Sequence, residues 1–312
     1  MKKWLPCRLA IILIISISIK SSSQQLKLLR TTHLPHFPSA SSLSFFNSRL
    51  YVIGDDATHA LVLDGENHIT DSIQLFPYKK RVIPKNEKAD LESSFLYSKN
   101  GTTYLIALSS FSAENRNAVV QLNMRNRNVV IKNSSSIKLL EGAKVNEPNI
   151  EGSALVKNKL VLGNRANLSN NTNHLLVSDF TQSKKLKRGI VQSISIELPD
   201  ENELKGLSGL AYNEEEDQLL ITFSTENTYS SVADGTIGDS YLGVVYNISD
   251  KLQNQSIKPD FLISLSSALN TNTPQKIESV AIESSIKKKM ILHLSADNDN
   301  GQSSLFKIEL TL

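Results

Sequence analysis

One six-residue pattern recurs five times in this chain, and it constrains the fold more than any other feature. Each copy is a short segment of apolar and small residues, followed by a turn and a second apolar segment. The copies begin at Ala40, Leu91, Ile150, Leu207 and Ile277, so that their second residues are 51, 59, 57 and 70 positions apart. Spacings of this size are typical of propeller blades with loop insertions.

The segments that follow each copy complete a unit of four short strands. Their alternation of apolar and polar residues, bounded by Asn, Asp, Gly and Ser, is the pattern of half-buried strands. In the second unit the fourth strand is expected at residues 137–140. The fifth unit has three strands before the chain ends, and an apolar segment at residues 26–29 is available to supply the fourth.

The sequence therefore predicts an all-β protein, a five-bladed β-propeller of four-stranded antiparallel blades that the N-terminal strand closes. Closure from the other terminus removes two unpaired sheet edges, which are a hazard for aggregation. The alternative is a pair of stacked β-sandwiches. It is less favoured because sandwich strands need not fall into equal four-strand units.

The first 23 residues have the order of a secretory signal peptide. Lys2 and Lys3 precede an apolar run at residues 9–19, and small serines follow at residues 21–23. The run is shorter than the roughly 20 residues that a membrane-spanning helix needs. We predict a signal peptide at 1–23 and a single propeller domain at 24–312, with an extracytoplasmic location and no membrane span after processing. An uncleaved anchor and cleavage after Ser18 are the alternatives.

Cysteine content and charge exclude several kinds of site. The single cysteine, Cys7, lies in the leader, so the mature chain forms no disulfide and has no thiolate for a metal or a nucleophile. The formal charge of +3 comes from 34 basic and 31 acidic residues, and four of the basic residues are in the leader, which has no acid. The mature chain is thus close to neutral, which argues against a nucleic-acid partner.

Acidic and polar residues mark one end of the predicted channel. In a propeller the first strand of each blade lines the channel, and the loop between the second and third strands returns to the end where the first strand starts. The starts of the first strands supply Glu92, Glu151 and Glu278. The second loops supply Asp55, Asp56, Asn164, Arg165, Glu226, Asp297 and Asp299. We expect these residues to form a ligand-binding site; no catalytic residue is indicated.

Three glutamates around one opening repel each other unless a cation, an arginine, water or a proton offsets their charge. Glu92, Glu151 and Glu278 are therefore candidate metal ligands, and hard oxygen donors of this kind favour Ca²⁺. No organic cofactor is implied. Arg165 is the only basic residue of the set, and it is expected to pair with Glu151 or to bind an anionic substrate. The alternative is that each glutamate only accepts hydrogen bonds from backbone N–H groups.

The chain resembles an uncharacterised family of secreted bacterial β-propellers, which is in turn similar to phytase-like and SdiA-regulated propellers. The resemblance covers most of residues 40–310, and the motifs that carry it lie at 50–56, 150–155, 162–165 and 295–301. It implies a glutamate-ringed channel mouth that binds a metal, often calcium. The chain departs from calcium-dependent phytases because it lacks their dense acidic and basic clusters.

Two functional hypotheses follow. The first is a binding or scaffold propeller that holds a metal ion or small ligand at the channel mouth, and it is compatible with a protein partner. The second is a calcium-assisted hydrolase of phosphate or carboxylate esters. A hydrolase needs an electropositive group for the charge that develops in the reaction, and Arg165 is the one candidate.

Overall fold

The computed structural model describes residues 24–133, 139–143, 145–180, 189, 190, 192–199, 203–227, 235–298 and 301–312. The predicted signal peptide and Asp299 lie outside these residues. Among the described residues, no helix has the length and apolar character needed to cross a bilayer.

The chain forms five antiparallel sheets in sequence order, which confirms the predicted five-bladed propeller. After β1 (Gln25–Leu34), the first blade contains β2 (Ala40–Phe46), β3 (Arg49–Gly54), β4 (His59–Asp64) and β5 (Ile69–Gln74). The second contains β6 (Leu91–Lys99), β7 (Thr102–Ser109), β8 (Ala118–Asn123) and β9 (Val129–Asn133). The third contains β10 (Ile150–Val156), β11 (Lys159–Asn164), β12 (His174–Asp179) and β13 (Gln192–Ile196).

The fourth and fifth blades include the two short helices and an extra strand. In chain order they comprise β14 (Lys205–Asn213), β15 (Gln218–Asn227), β16 (Thr236–Tyr246), α1 (Ile248–Lys251), β17 (Ser256–Ile257), β18 (Phe261–Ser264), α2 (Ser266–Leu269), β19 (Ile277–Ile286), β20 (Lys289–Asp297) and β21 (Ser303–Thr311). β17 does not join its own blade; it pairs in parallel with β13, the outer strand of the third blade.

The N-terminal strand closes the ring, as the sequence predicts. β1 pairs antiparallel with β21 from Gln25 opposite Thr311 to Leu34 opposite Ser303. The strand is longer than the predicted residues 26–29, because its polar residues also pair along the edge of β21. The closing blade thus has the order β19-β20-β21-β1.

One strand differs from its predicted place. The fourth strand of the second blade is β9, Val129–Asn133, and not the predicted segment 137–140, of which residues 137 and 138 lie outside the described part of the chain. Leu139 and Leu140 instead lie in a turn, where Leu139 is buried against the third blade. An apolar residue that packs beneath a loop carries the same sequence signal as one in a strand, which explains the error.

Turn residues fix the first hairpin of every blade. Positive backbone φ angles of 49° to 57° occur in these turns, at Asn47, Asn100, Lys157, Asp217 and Lys287. Tight hairpins require this conformation because its twist matches that of the flanking strands.

The apolar core consists of five layers, one between each pair of adjacent blades. The cluster around Leu91 and Ile53 joins the first two blades, and corresponding clusters join the others. At the centre the inner strands β2, β6, β10, β14 and β19 contact one another in a closed ring. They approach so closely that a Cβ on Gly209 would lie 2.9 Å from the Cα of Ser279 in the next blade. Small residues at this position therefore let the five blades close.

Candidate functional site

Each inner strand begins with a β-bulge at the same repeat position. In the second blade, for example, Leu91 pairs with Ser109 and Ser93 pairs with Leu108, so Glu92 is left without a partner on β7. The same irregularity occurs in all five blades, at Ser41, Glu92, Glu151, Ser208 and Glu278. A bulge changes the direction of a side chain relative to the regular pleat. Three of the five bulged residues, Glu92, Glu151 and Glu278, are thus the glutamates that sequence analysis placed at the channel mouth.

Three carboxylates converge between the first and second blades. Asp55, Asp90 and Glu92 each offer an oxygen, and these oxygens lie within 4.8 Å of one another. We call these three residues the open cluster. Asp55 follows β3, and Asp90 immediately precedes β6 in a left-handed conformation with a φ of 58°. The chain therefore brings a loop and a strand start from neighbouring blades to one point.

Two basic residues reach the open cluster from outside it. The Lys88 ammonium bonds to Asp55 and lies 2.9 Å from Asp90 Oδ1. Arg116 Nη1 lies 3.1 Å from Asp90 Oδ2, which also accepts a hydrogen bond from the Ser110 hydroxyl. Asp90 is thus fully bonded.

The other two members of the open cluster keep unused acceptors. Asp55 Oδ1 is buried, and no residue that the structure describes forms a hydrogen bond with it. Glu92 makes no hydrogen bond or ion pair with any residue in the described part of the chain. Burial raises the pKa of Glu92 well above its usual range, and the negative charges of Glu151, Asp90 and Asp55 raise it further. Burial also raises the pKa of Asp55, although Lys88 opposes the shift.

A second group forms where the third, fourth and fifth blades meet. Arg165 Nη2 lies 3.2 Å from Glu226 Oε2, and Lys276 Nζ lies 3.5 Å from the same oxygen. Lys276 Nζ also lies 3.2 Å from Glu278 Oε1. We call Arg165, Glu226, Lys276 and Glu278 the paired cluster, because each of its acids contacts a cation.

Arg165 is held on several sides. It donates to Ser224 Oγ at 3.1 Å and to the Leu207 carbonyl at 3.4 Å, and its side chain is only 7% exposed. Burial disfavours its charge, but Glu151, Glu278 and Glu226 together raise its pKa. Its direct ion pair is with Glu226 and not, as the sequence suggested, with Glu151.

Glu151 lies between the two clusters and has one hydrogen bond, from Asn149 Nδ2 at 2.8 Å to its Oε1. Burial raises the pKa of Glu151 to about 8; Arg165 lowers it and Glu278 raises it. Burial likewise raises the pKa of Glu278, against the effect of Lys276 and Arg165. With a pKa of about 8, Glu151 is substantially protonated at neutral pH.

The remaining predicted residues have different surroundings. Asn164 Oδ1 accepts a hydrogen bond from the Asn149 backbone N–H at 2.8 Å, so it supports the start of β10. Asp56 lines a cavity beside the mouth. Asp297 ends β20 and is 9% exposed, with its backbone N–H bonded to the Lys276 carbonyl.

Sequence analysis missed four charged residues that belong to the two clusters or contact them. Asp90 and Lys276 each stand one position before a copy of the six-residue pattern, or hexad. The other three blades have uncharged residues there, namely Ser39, Asn149 and Gly206. Extending the repeat by one residue would have found both. Lys88 and Arg116 come from loops of unique sequence, and no repeat signal points to them.

Solved structures similar to this chain are propellers of low sequence identity. Glutaminyl cyclase from Myxococcus xanthus is 9% identical, with a TM-score of 0.51, and the match covers 92% of this chain and 96% of that one. A DUF4221 protein from Bacteroides vulgatus is 9% identical with a TM-score of 0.44, covering 92% and 98%. GH43 endo-arabinanase from Bacillus licheniformis is 14% identical with a TM-score of 0.42, covering 88% and 93%. At these identities the likeness concerns the fold alone.

Comparison of the sequence with curated proteins gives no significant match. A family model, by contrast, matches residues 36–310, which is nearly all of the propeller. The chain therefore belongs to the family of unknown function DUF6929, a family whose match spans all five blades.

Proposed function

We propose that this protein is an extracytoplasmic binding propeller whose channel mouth holds a divalent cation, with Ca²⁺ as the favoured ion. One observation carries the proposal: the oxygens of Asp55, Asp90 and Glu92 lie within 4.8 Å of one another. Asp55 Oδ1 and the Glu92 carboxyl group accept no hydrogen bond from the described residues. Carboxylate oxygens are the donors that Ca²⁺ prefers.

The donor set fits such an ion in its chemistry. Asp55 Oδ1 is an orphaned buried oxygen, and leaving it without a partner costs about 1–3 kcal/mol. Without an ion, protonation of Glu92 and Glu151 would reduce the repulsion between them. Both would lose these protons when a cation binds. Asp55, Asp90 and Glu92 would hold the ion, and the charge of Glu151, which acts on Glu92, would add to its attraction.

Lys88 is the competitor of the ion for this site. Its ammonium contacts the same two aspartates that a metal would use. A lysine ammonium is a point charge on a flexible chain, so it can leave without disturbing the backbone. We infer that the ion enters by displacing Lys88, while Arg116 remains on Asp90.

The test begins with the wild-type protein after treatment with EDTA. Saturating Ca²⁺ should raise its melting temperature by mass action, and titration calorimetry should show one site per chain. Asp55→Asn and Glu92→Gln should each reduce the effect. The control Asp71→Asn removes the same negative charge from an exposed position away from the mouth, and it should not reduce the effect of Ca²⁺. If Ca²⁺, Mg²⁺ and Mn²⁺ all leave the wild-type melt unmoved, the metal site is abandoned and a small cationic organic ligand takes its place.

The observed contacts do not favour the hydrolase hypothesis. That reaction would rely on Arg165 to stabilise developing negative charge, yet Arg165 is already bonded to Glu226, Ser224 and the Leu207 carbonyl. A guanidinium so occupied has little capacity for a substrate. Binding therefore remains the better-supported function.

The extracytoplasmic location rests on the basic, apolar and small residues of the leader. Processing at Ser23 would remove Trp4, the only tryptophan. N-terminal sequencing of exported protein should then begin at Gln24. Tryptophan fluorescence in the exported product would contradict the proposal.

A further inference from the structure

A loop of residues 75–90 connects the first two blades and borders a cavity beside the channel mouth. Backbone hydrogen bonds on both sides of Val82 hold the loop to the first blade. The Thr58 N–H donates to the Arg81 carbonyl at 3.1 Å, and the Ile83 N–H donates to the Asp56 carbonyl at 2.7 Å. Ile83 is buried at 2% exposure beneath the loop. The loop is thus a fixed wall.

The cavity has a volume of about 520 Å³, within the roughly 300–1,000 Å³ range of small-molecule sites. It is lined by His36, Pro38, Asp56, Arg81, Val82 and Gly301. Pro38 and Val82 give it apolar walls, and three ionisable side chains supply the polar contacts. This combination is what small-molecule sites usually show.

Two of these polar groups have unused hydrogen-bonding capacity. Asp56 Oδ1 is buried and has no hydrogen-bond partner among the described residues. The Arg81 guanidinium makes no hydrogen bond or ion pair with the described residues. The Asp56 carboxyl group and the Arg81 guanidinium therefore line one cavity as hydrogen-bond acceptor and donor.

We propose that this cavity is a second binding site, separate from the open cluster, for a small organic acid that also carries an amino or hydroxyl group. Arg81 would bind the carboxylate through two parallel N–H groups, a geometry that arginine offers and lysine does not. Asp56 would accept the hydrogen bond of the ligand's amino or hydroxyl group. The neighbouring Asp55 serves the other site, so adjacent residues of one loop divide between two sites.

Titration calorimetry of the mature protein at pH 7.5, with L-serine and with L-lactate as probes, tests the proposal. At least one probe should bind, and acetate, which has the carboxylate but no donor, should bind more weakly. Arg81→Gln should weaken binding roughly tenfold or more, because a hydrogen bond to a charged group is lost. Lys80→Gln is the matched control, since it removes the same charge from the same loop but does not line the cavity.

Asp56→Asn separates the role of the carboxylate from that of the cavity shape. It should weaken the serine or lactate complex while leaving acetate unaffected. The proposal is overturned if neither probe binds, if Lys80→Gln weakens binding as much as Arg81→Gln, or if Asp56→Asn has no effect. Repeating the titrations in EDTA and in Ca²⁺ distinguishes this site from the open cluster, because only the metal proposal depends on the ion.

Discussion

The two halves of the channel mouth place acids at the same repeat position but use them differently. In the paired cluster, Glu278 contacts Lys276, and Glu226 contacts both Lys276 and Arg165. In the open cluster, Glu92 stands at the position of Glu278, but Lys88 and Arg116 bind the neighbouring aspartates instead. One half is therefore electrostatically complete within the protein, while the other keeps unused oxygens. Equivalent positions in the repeat have the same backbone geometry, and the charged residues of the surrounding loops determine whether an acid there is neutralised.

Arg165→Met should have the largest effect on stability. It leaves Lys276 as the remaining cation beside the buried Glu226, and loss of one member of a buried ion pair costs about 3–5 kcal/mol. Urea unfolding measures the change. The control Arg127→Met removes the exposed ion pair to Asp71 and should cost less than about 1 kcal/mol. Equal effects of the two variants would mean that the paired cluster is not a structural unit.

Lys88→Met should destabilise the metal-free protein by about 2 kcal/mol, because Asp55 and Asp90 lose a shared cation while Arg116 remains. If Lys88 competes with the metal, the variant should gain more from Ca²⁺ than the wild type does. Thermal melts at increasing Ca²⁺ concentrations measure both effects. A variant that is destabilised but gains nothing extra from Ca²⁺ would show that Lys88 is a permanent structural partner.

Glu92→Gln and Glu278→Gln form a matched pair, since they make the same change at the same bulge. Glu278→Gln removes the charged partner of Lys276 and should cost about 1–2 kcal/mol. Glu92→Gln removes the repulsion by Glu151, Asp90 and Asp55, which outweighs the attraction by Lys88, and should be neutral or stabilising in the absence of metal. Unfolding measurements in EDTA at pH 7.5 compare them. If both variants changed the free energy of unfolding by the same sign and amount, the two clusters would not differ in the way proposed.

Glu151 should produce a modest dependence of stability on pH. Its pKa of about 8 in the folded state is above the ordinary value of 4.5, so the folded protein binds more protons than the unfolded chain between these pH values. Its contribution to the free energy of unfolding should therefore fall as pH rises from about 5 to 8. Glu151→Gln should flatten this slope in urea unfolding without metal. Glu309→Gln, on the outer surface beside Lys289, should leave the slope unchanged.

Much of the fold could be predicted because it rests on local pattern. The five hexads, the turn residues behind them and the spare apolar strand near Leu28 all follow from alternation and spacing. The error at residues 137–140 arose because burial beneath a loop and burial in a strand look alike in one sequence. The parallel pairing of β17 with β13 had no local signal, since it joins two blades through only two residue pairs.

Pattern and spacing along the chain were enough to predict the propeller, its closure by the N-terminal strand and the acids at the bulged positions Glu92, Glu151 and Glu278. These follow from periodic backbone constraints that each repeat satisfies locally. Which of the acids are neutralised depends on contacts between blades. Lys88 and Arg116 reach one side of the mouth, and Arg165 and Lys276 reach the other. Charge pairing depends on distances of 3–4 Å between loops of different blades, and no regular spacing along the chain encodes such distances.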